Sequence, residues 1–154
     1  MRVHPRTLLT PERLDLVVKY RYFLHLRDGG NAEAAELYRW HIMQRTNGVE
    51  PGSWKLCIAD YESSAFELFR SMQMKGFSVS KAVPIGSNGR IRGGAHRIAC
   101  ALVLDYHVAV QRLEKPGRSI WGADWFLANG MPVPQVKELL QECESLRLDR
   151  AVNA

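Results

Sequence analysis

"RIRGGAHRIACAL", residues 90–102, sets two adjacent glycines, a histidine and an arginine between a short extended pattern and a run of small apolar residues. Gly93 and Gly94 lack a Cβ, so the backbone there can reach positive φ and an anion can approach its N–H groups closely. A helix beginning at Ala95 or His96 would aim its unpaired first-turn N–H groups and the positive end of its dipole at the same place. His96 and Arg97 add two side-chain donors, Arg97 with a planar fork suited to phosphate oxygens. These residue types fit a phosphate cradle, and they fit an ordinary strand-to-helix turn as well.

The flanking residues supply the frame. "KAVPIG" (81–86) reads as a strand, Asn88-Gly89 as a turn and "RIR" (90–92) as a second short extended piece. "AHRIACALVLD" (95–105) returns to helical spacing and "HVAVQRL" (107–113) alternates like another strand. Strand, helix and strand in close order predict a small mixed α/β core, with the glycine turn at the open end of the strands where such folds bind ligands. Alternation puts Arg90 and Arg92 on one side; with Lys81 they either raise the local potential for phosphates or simply face solvent.

Toward the N-terminus, Thr10-Pro11-Glu12 has the chemistry of a helix start and predicts a helix over about 11–27, stopped by Gly29-Gly30. Its apolar positions are Leu14, Val17, Val18, Phe23 and Leu24. Asn31 caps a second helix over 32–46, ended by Asn47-Gly48. His41, between Trp40 and Ile42, reads as a packed structural residue. "EPGSW" (50–54) is a loop, and after a short extended piece a third helix is expected from about 62 to 75, closed by Gly76.

Toward the C-terminus, "SIWGADWFLANG" (119–130) predicts a short aromatic helix with Trp121, Trp125 and Phe126 on one packed face. "VPQVKELLQECESLRLDRA" (133–151) predicts a last amphipathic helix. The expected class is α+β in one domain over 1–154. A helical extension occupies about 1–50, the mixed-sheet core about 54–115 and the C-terminal helices about 119–150.

Lys and Arg total 21 against 16 Asp and Glu, a net charge of +5 that suits anionic partners. The charges are spread along the chain and no run resembles a nucleic-acid arm. No apolar stretch approaches the ~20 residues of a membrane span, and the opening residues lack the apolar middle of a signal peptide, so a cytoplasmic location is expected. Cys57, Cys100 and Cys143 are odd in number and far apart, which points to free thiols and no metal site.

Residues 68–110, "LFRSMQMKGFSVSKAVPIGSNGRIRGGAHRIACALVLDYHVAV", resemble the core of the ParB/sulfiredoxin-like superfamily. The shared features are a Ser-apolar pair followed by Gly76 five residues after Ser71, the Pro84-Ile85 strand, and Gly-x-His-Arg (Gly94 to Arg97) opening a small-residue helix. The match covers somewhat more than a quarter of the chain. Members of that superfamily bind nucleoside triphosphates through this box; they include DNA-partitioning proteins with CTP switches, ATP-using sulfinic acid reductases and kinases of free serine. The resemblance implies ATP, with CTP as the alternative, and Mg²⁺. It assigns nucleotide binding to Arg92, Gly93, Gly94, Ala95, His96 and Arg97.

Three departures narrow what it implies. Ala95 stands where sulfiredoxin has its catalytic Cys, which argues against a thiol-based reductase. Gly93 stands where the serine kinases have Asp, so an acid or base must come from elsewhere. The DNA-reading helix-turn-helix of the partitioning proteins has no counterpart after the box, so DNA is a less favoured partner.

In the kinases a Glu shortly before the corresponding helix is the base. Glu62 is nearest to that position, with Asp60 beside it and His96 as a third catalytic candidate; the two acids equally suit a helix start. The expectation is a nucleotide-dependent phosphotransferase acting on a hydroxyl of a small polar acceptor. The alternative is a non-catalytic nucleotide- or DNA-binding module, and a homodimer is compatible with either. No carboxylates cluster at metal spacing, which argues against a nuclease.

Overall fold

The computed structural model describes residues 1–149. It combines six α-helices with one small three-stranded sheet, an α+β arrangement. The elements are β1 (Arg2–Val3), α1 (Asp15–Asp28), α2 (Ala32–Thr46), α3 (Ile58–Lys75), β2 (Val83–Ile85), α4 (Ala95–Leu104), β3 (Val108–Arg112), α5 (Ala123–Ala128) and α6 (Val133–Leu148). Arg150 and Ala151, the expected last residues of α6, lie outside the described residues.

The strands lie in the order β1-β3-β2. β2 runs parallel to β3, with Val83 opposite Val110 and Ile85 opposite Arg112, and α4 is the crossover between them. β1 is antiparallel to β3. Pro84 is tolerated because β2 is an edge strand and need not donate from that position. After β2 the chain turns at Asn88-Gly89, and the expected second extended piece shrinks to one bridge, Ile91 against Ile85.

Gly86 and Gly117 let two backbones touch here. A Cβ on Gly86 would lie 1.9 Å from the Gly117 nitrogen, and one on Gly117 would lie 2.0 Å from the Arg90 carbonyl oxygen. The 115–118 loop is thereby pressed against the turn, which brings Arg118 beside Arg92: Arg118 N–H donates to the Ile91 carbonyl at 3.1 Å.

The first helix differs from expectation. Arg13 pairs in a bridge with Trp121, and Leu14 N–H donates to the Trp121 carbonyl at 2.8 Å. Residues 11–14 are therefore held by the loop before α5, and Thr10 turns the chain without capping α1, which starts at Asp15. Thr10 Oγ1 is buried without a partner among the described residues. From there Leu16, Val17, Val18 and Phe23 are fully buried and α1 packs chiefly on α4. The helical extension read from the sequence is thus the centre of the core, which runs as one cluster from Leu8 to Cys143.

α2 follows its signals: Asn31 accepts from Ala34 N–H at 3.0 Å, and Asn47 closes the helix in the left-handed conformation at φ 57°. α3 starts four residues before the expected 62, because Cys57 and Asp60 form a capping box at its N-terminus.

No helix among the described residues is long and apolar enough to cross a membrane. Cys100 and Cys143 are buried and Cys57 is exposed, all three as free thiols. Burial pushes the Cys100 thiol up to about 12, which leaves it protonated and inert.

Candidate functional site

The glycine turn opens one wall of a cavity of about 240 Å³. Gly94 sits at φ 77°, a left-handed position that favours glycine, immediately before α4. No side chain caps that end, so the first-turn N–H groups of α4 are available to an anion. Arg92, Gly93, Gly94, Ala95 and His96 all line the cavity.

The other walls come from distant segments. Arg13 and Lys19 reach in from the start of α1, Arg45 from the end of α2, Glu50 and Lys55 from the following loop, and Tyr61 from α3. Arg118, Ile120 and Trp121 complete the lining. Six cations therefore converge on one small space, where a single carboxylate, Glu50, lines the wall.

Two of these cations are buried. Arg13 is 3 % exposed and Lys19 is 1 %, and both bond to Asp15, which is fully buried. Arg13 Nε and Nη2 donate to the two Asp15 oxygens at 2.8 and 2.9 Å, and Lys19 Nζ donates to Oδ2 at 2.8 Å. Asp15 and Lys19 share a helix face at i,i+4.

Burial pushes the Asp15 carboxyl up, but Lys19 and Arg13 outweigh it and hold it well below the usual aspartate value. Burial lowers Lys19 to about 8, with Arg45 and Arg13 acting in the same sense and Asp15 partly restoring it. At neutral pH Lys19 is therefore mostly charged, and the trio carries one net positive charge.

Trp121 forms a floor shared by these charges. The Arg45, Arg13 and Lys19 cationic groups stand 4.8, 5.1 and 5.7 Å from its ring centre, within cation–π range. Lys55 Nζ pairs with Glu50 at 3.2 Å and lies 4.9 Å over the Tyr61 ring. Burial pushes Glu50 up, but its hydrogen bonds with Ser53 and Lys55 outweigh that and hold it below the ordinary glutamate value.

His96 is kept neutral. Burial, then repulsion from Lys19, Arg45 and Lys55, lowers it well below the ordinary histidine value. Its Nε2 lies 2.9 Å from the Tyr38 hydroxyl, and its ring meets Phe23 and Tyr38 edge-on. A neutral imidazole fixed this way adds no seventh charge to the lining.

Several residues singled out in the sequence stand elsewhere. Arg97 turns away and donates to the Lys81 carbonyl. Asp60 accepts from Leu56 N–H at 2.8 Å and Cys57 N–H at 3.2 Å, so its carboxylate is occupied in capping α3. Glu62 pairs with Arg39 at the surface. Arg90 reaches Glu12 and Ser119, so it does not share the cavity with Arg92.

The predicted aromatic face also divides. Trp125 and Phe126 belong to α5, whereas Trp121 precedes that helix and walls the cavity. His41 is fully buried and stacks on Phe126 with centroids 5.5 Å apart, a packed position.

The sequence reading missed Arg13, Lys19, Arg45, Glu50, Lys55, Tyr61 and Arg118. One signal was present: "RLDLVVKY" (13–20) places three charges among buried apolar positions, and a charge on the apolar face of a helix needs a partner. The Mg²⁺ implied by the resemblance does not fit this lining. The cavity offers a hard cation one carboxylate already held by Lys55, and no group of three His, Cys, Asp or Glu suited to a metal occurs among the described residues.

No protein-family model matches the chain, and no curated protein or solved structure matches it.

Proposed function

We propose that the protein binds the phosphates of a nucleoside triphosphate in this cavity and transfers a phosphoryl group to a hydroxyl of a small polar acceptor. The observation that carries the reading is the convergence of Arg13, Lys19, Arg45, Lys55, Arg92 and Arg118 on the free N-terminus of α4. The ParB/sulfiredoxin-like resemblance of residues 68–110 adds the nucleotide. The parallel β2-α4-β3 unit supports that reading, although the glycine turn lies beside Pro84, whose carbonyl accepts from Arg92 N–H at 2.9 Å, and not at the far end of the strand where the sequence pattern would put it.

Phosphoryl transfer asks for positioning and charge neutralisation more than covalent help from the protein. The acceptor oxygen attacks the terminal phosphorus, and the bond from that phosphorus to its bridging oxygen breaks. The nucleoside diphosphate leaves with the electron pair, and the acceptor proton passes to Glu50. This role moves from Asp60 and Glu62 to Glu50 because Glu50 lines the cavity and they do not.

A second reading, a nucleotide-binding module without catalysis, is favoured by the engagement of Glu50 with Lys55. Calorimetry with ATP and CTP, followed by a screen of nucleotide consumption against amino acids, sugars and nucleosides, separates the two. Phosphotransfer that Glu50→Gln abolishes while binding persists supports the first. Binding without turnover for any acceptor leaves the second, and absence of binding refutes both.

A further inference from the structure

We propose that the cavity takes its oligophosphate as the free polyanion, with the protein's own cations standing where a divalent metal would otherwise neutralise charge. The inference rests on the phosphate-binding reading above and deepens it by fixing the ligand's charge and length. Six cationic side chains line the space. Asp15, bonded to Arg13 and Lys19, and Glu50, bonded to Lys55, offset two of them and leave four. A terminal phosphate carries about two negative charges and each inner phosphate about one, so an uncomplexed nucleoside triphosphate brings about four and inorganic tripolyphosphate about five. Its magnesium complex brings about two, which would leave buried ammonium and guanidinium groups facing a metal.

The unpaired atoms of the lining point the same way. Tyr61 is 2 % exposed, yet its hydroxyl has no hydrogen-bond partner among the described residues, and neither has Arg45 Nε. Both atoms lie beneath the surface of residues that line the cavity, where donors, including the free N–H groups of α4, outnumber the one carboxylate, Glu50. Such a set is satisfied by an acceptor-only ligand, and phosphate oxygens supply many acceptors and no donor. To a divalent cation held by those phosphates the wall itself adds one carboxylate, Glu50, already bonded to Lys55.

Size sets the remaining limit. At about 240 Å³ the cavity is smaller than the ~300–1,000 Å³ usual for small-molecule sites, so it encloses phosphates and leaves the rest of a nucleotide at the mouth. Inorganic tripolyphosphate should therefore capture most of the affinity of a nucleotide.

The test is calorimetric titration of the full chain with tripolyphosphate, pyrophosphate, orthophosphate and ATP, each with EDTA and again with excess Mg²⁺. Tripolyphosphate should bind in EDTA at least about tenfold more tightly than pyrophosphate, and Mg²⁺ should weaken it by about tenfold or more as it competes for the phosphates. Binding that requires or is strengthened by Mg²⁺, or equal affinity for all three phosphates, overturns the metal-free polyanion and leaves the phosphate-binding reading standing. No binding under either condition overturns both.

Arg118→Ala, at an exposed position of the lining, and Lys55→Ala, which removes a partly covered charge, should each weaken tripolyphosphate several-fold and flatten its salt dependence without loss of the folded state. Wild-type affinity in both places the anion elsewhere and refutes the proposal.

Discussion

The basic cavity at Gly94 and the wide groove between α1, α2 and α6 both draw on α1 and α2 and treat charge in opposite ways. The groove, about 760 Å³, carries Glu33, Glu36, Glu138 and Glu142 with Arg21, and the Arg21–Glu142 pair is partly exposed. Its charges reach water, so their interactions are screened and each contributes about 0–1 kcal/mol. The cavity is a third of that size but removes Lys19, Arg13 and Asp15 from solvent and surrounds them with further cations. Volume alone would choose the groove. Net positive charge held away from water is what distinguishes the cavity, and a bound anion would offset its cost in stability.

The largest effect that can break this comparison is on stability. Asp15→Asn leaves two buried cations without their counter-charge and should cost about 3–5 kcal/mol, seen as a fall in Tm of roughly 10 °C. Glu142→Gln in the groove should shift Tm far less. In the native chain the Asp15 contribution is complete above its ordinary pKa of 3.8, because the folded carboxyl lies lower. It is lost as the pH falls below that value.

Next comes affinity for anions. Lys19→Met should weaken tripolyphosphate at least about tenfold, or about 1.4 kcal/mol, whereas Glu36→Gln with Glu138→Gln should leave it unchanged by calorimetry. Lys19 is protonated below about pH 8, so binding of sulfate, whose own charge is constant, should weaken as the pH rises from 7 to 9. That slope should vanish in Lys19→Met.

Gly94→Ala should cost roughly 1–2 kcal/mol by denaturant unfolding, because the position has φ 77° and the new Cβ would meet the Arg97 guanidinium at 3.0 Å. The smallest effect belongs to Glu62→Gln, which breaks an exposed pair with Arg39: about 0–1 kcal/mol in stability, with nucleotide binding and any phosphotransfer retained. Loss of transfer in that variant would instead support the catalytic role read for Glu62 from the sequence.

Where signals are local, the sequence was legible. Asn31 and Asn47 bound α2, Gly94 opens α4, and the period change over 81–113 marks β2-α4-β3. β1 was not legible, because two residues become a strand only through pairing with β3, over a hundred positions away. The Thr10-Pro11-Glu12 signal misled because Trp121 takes the Leu14 N–H and delays the helix. The start of α3 was hidden because its cap is a cysteine.

At the site, the glycine turn was legible and most of the charge was not. Residues 13, 19, 45, 55 and 118 share no spacing, and only the packing of α1 against α4 and the Gly86–Gly117 contact bring them to the turn. Arg97 belongs to the turn in sequence but is drawn off by the Lys81 carbonyl.

The central claim, that the cavity and not the groove is the anion site, is tested most directly by a crystal structure of the chain soaked with tripolyphosphate. The account predicts phosphate density against the N–H groups of Ala95 and His96 and within reach of Lys19 and Arg45. Density confined to the outer surface near Arg97 and Lys81, or to Arg21 in the groove, would contradict it.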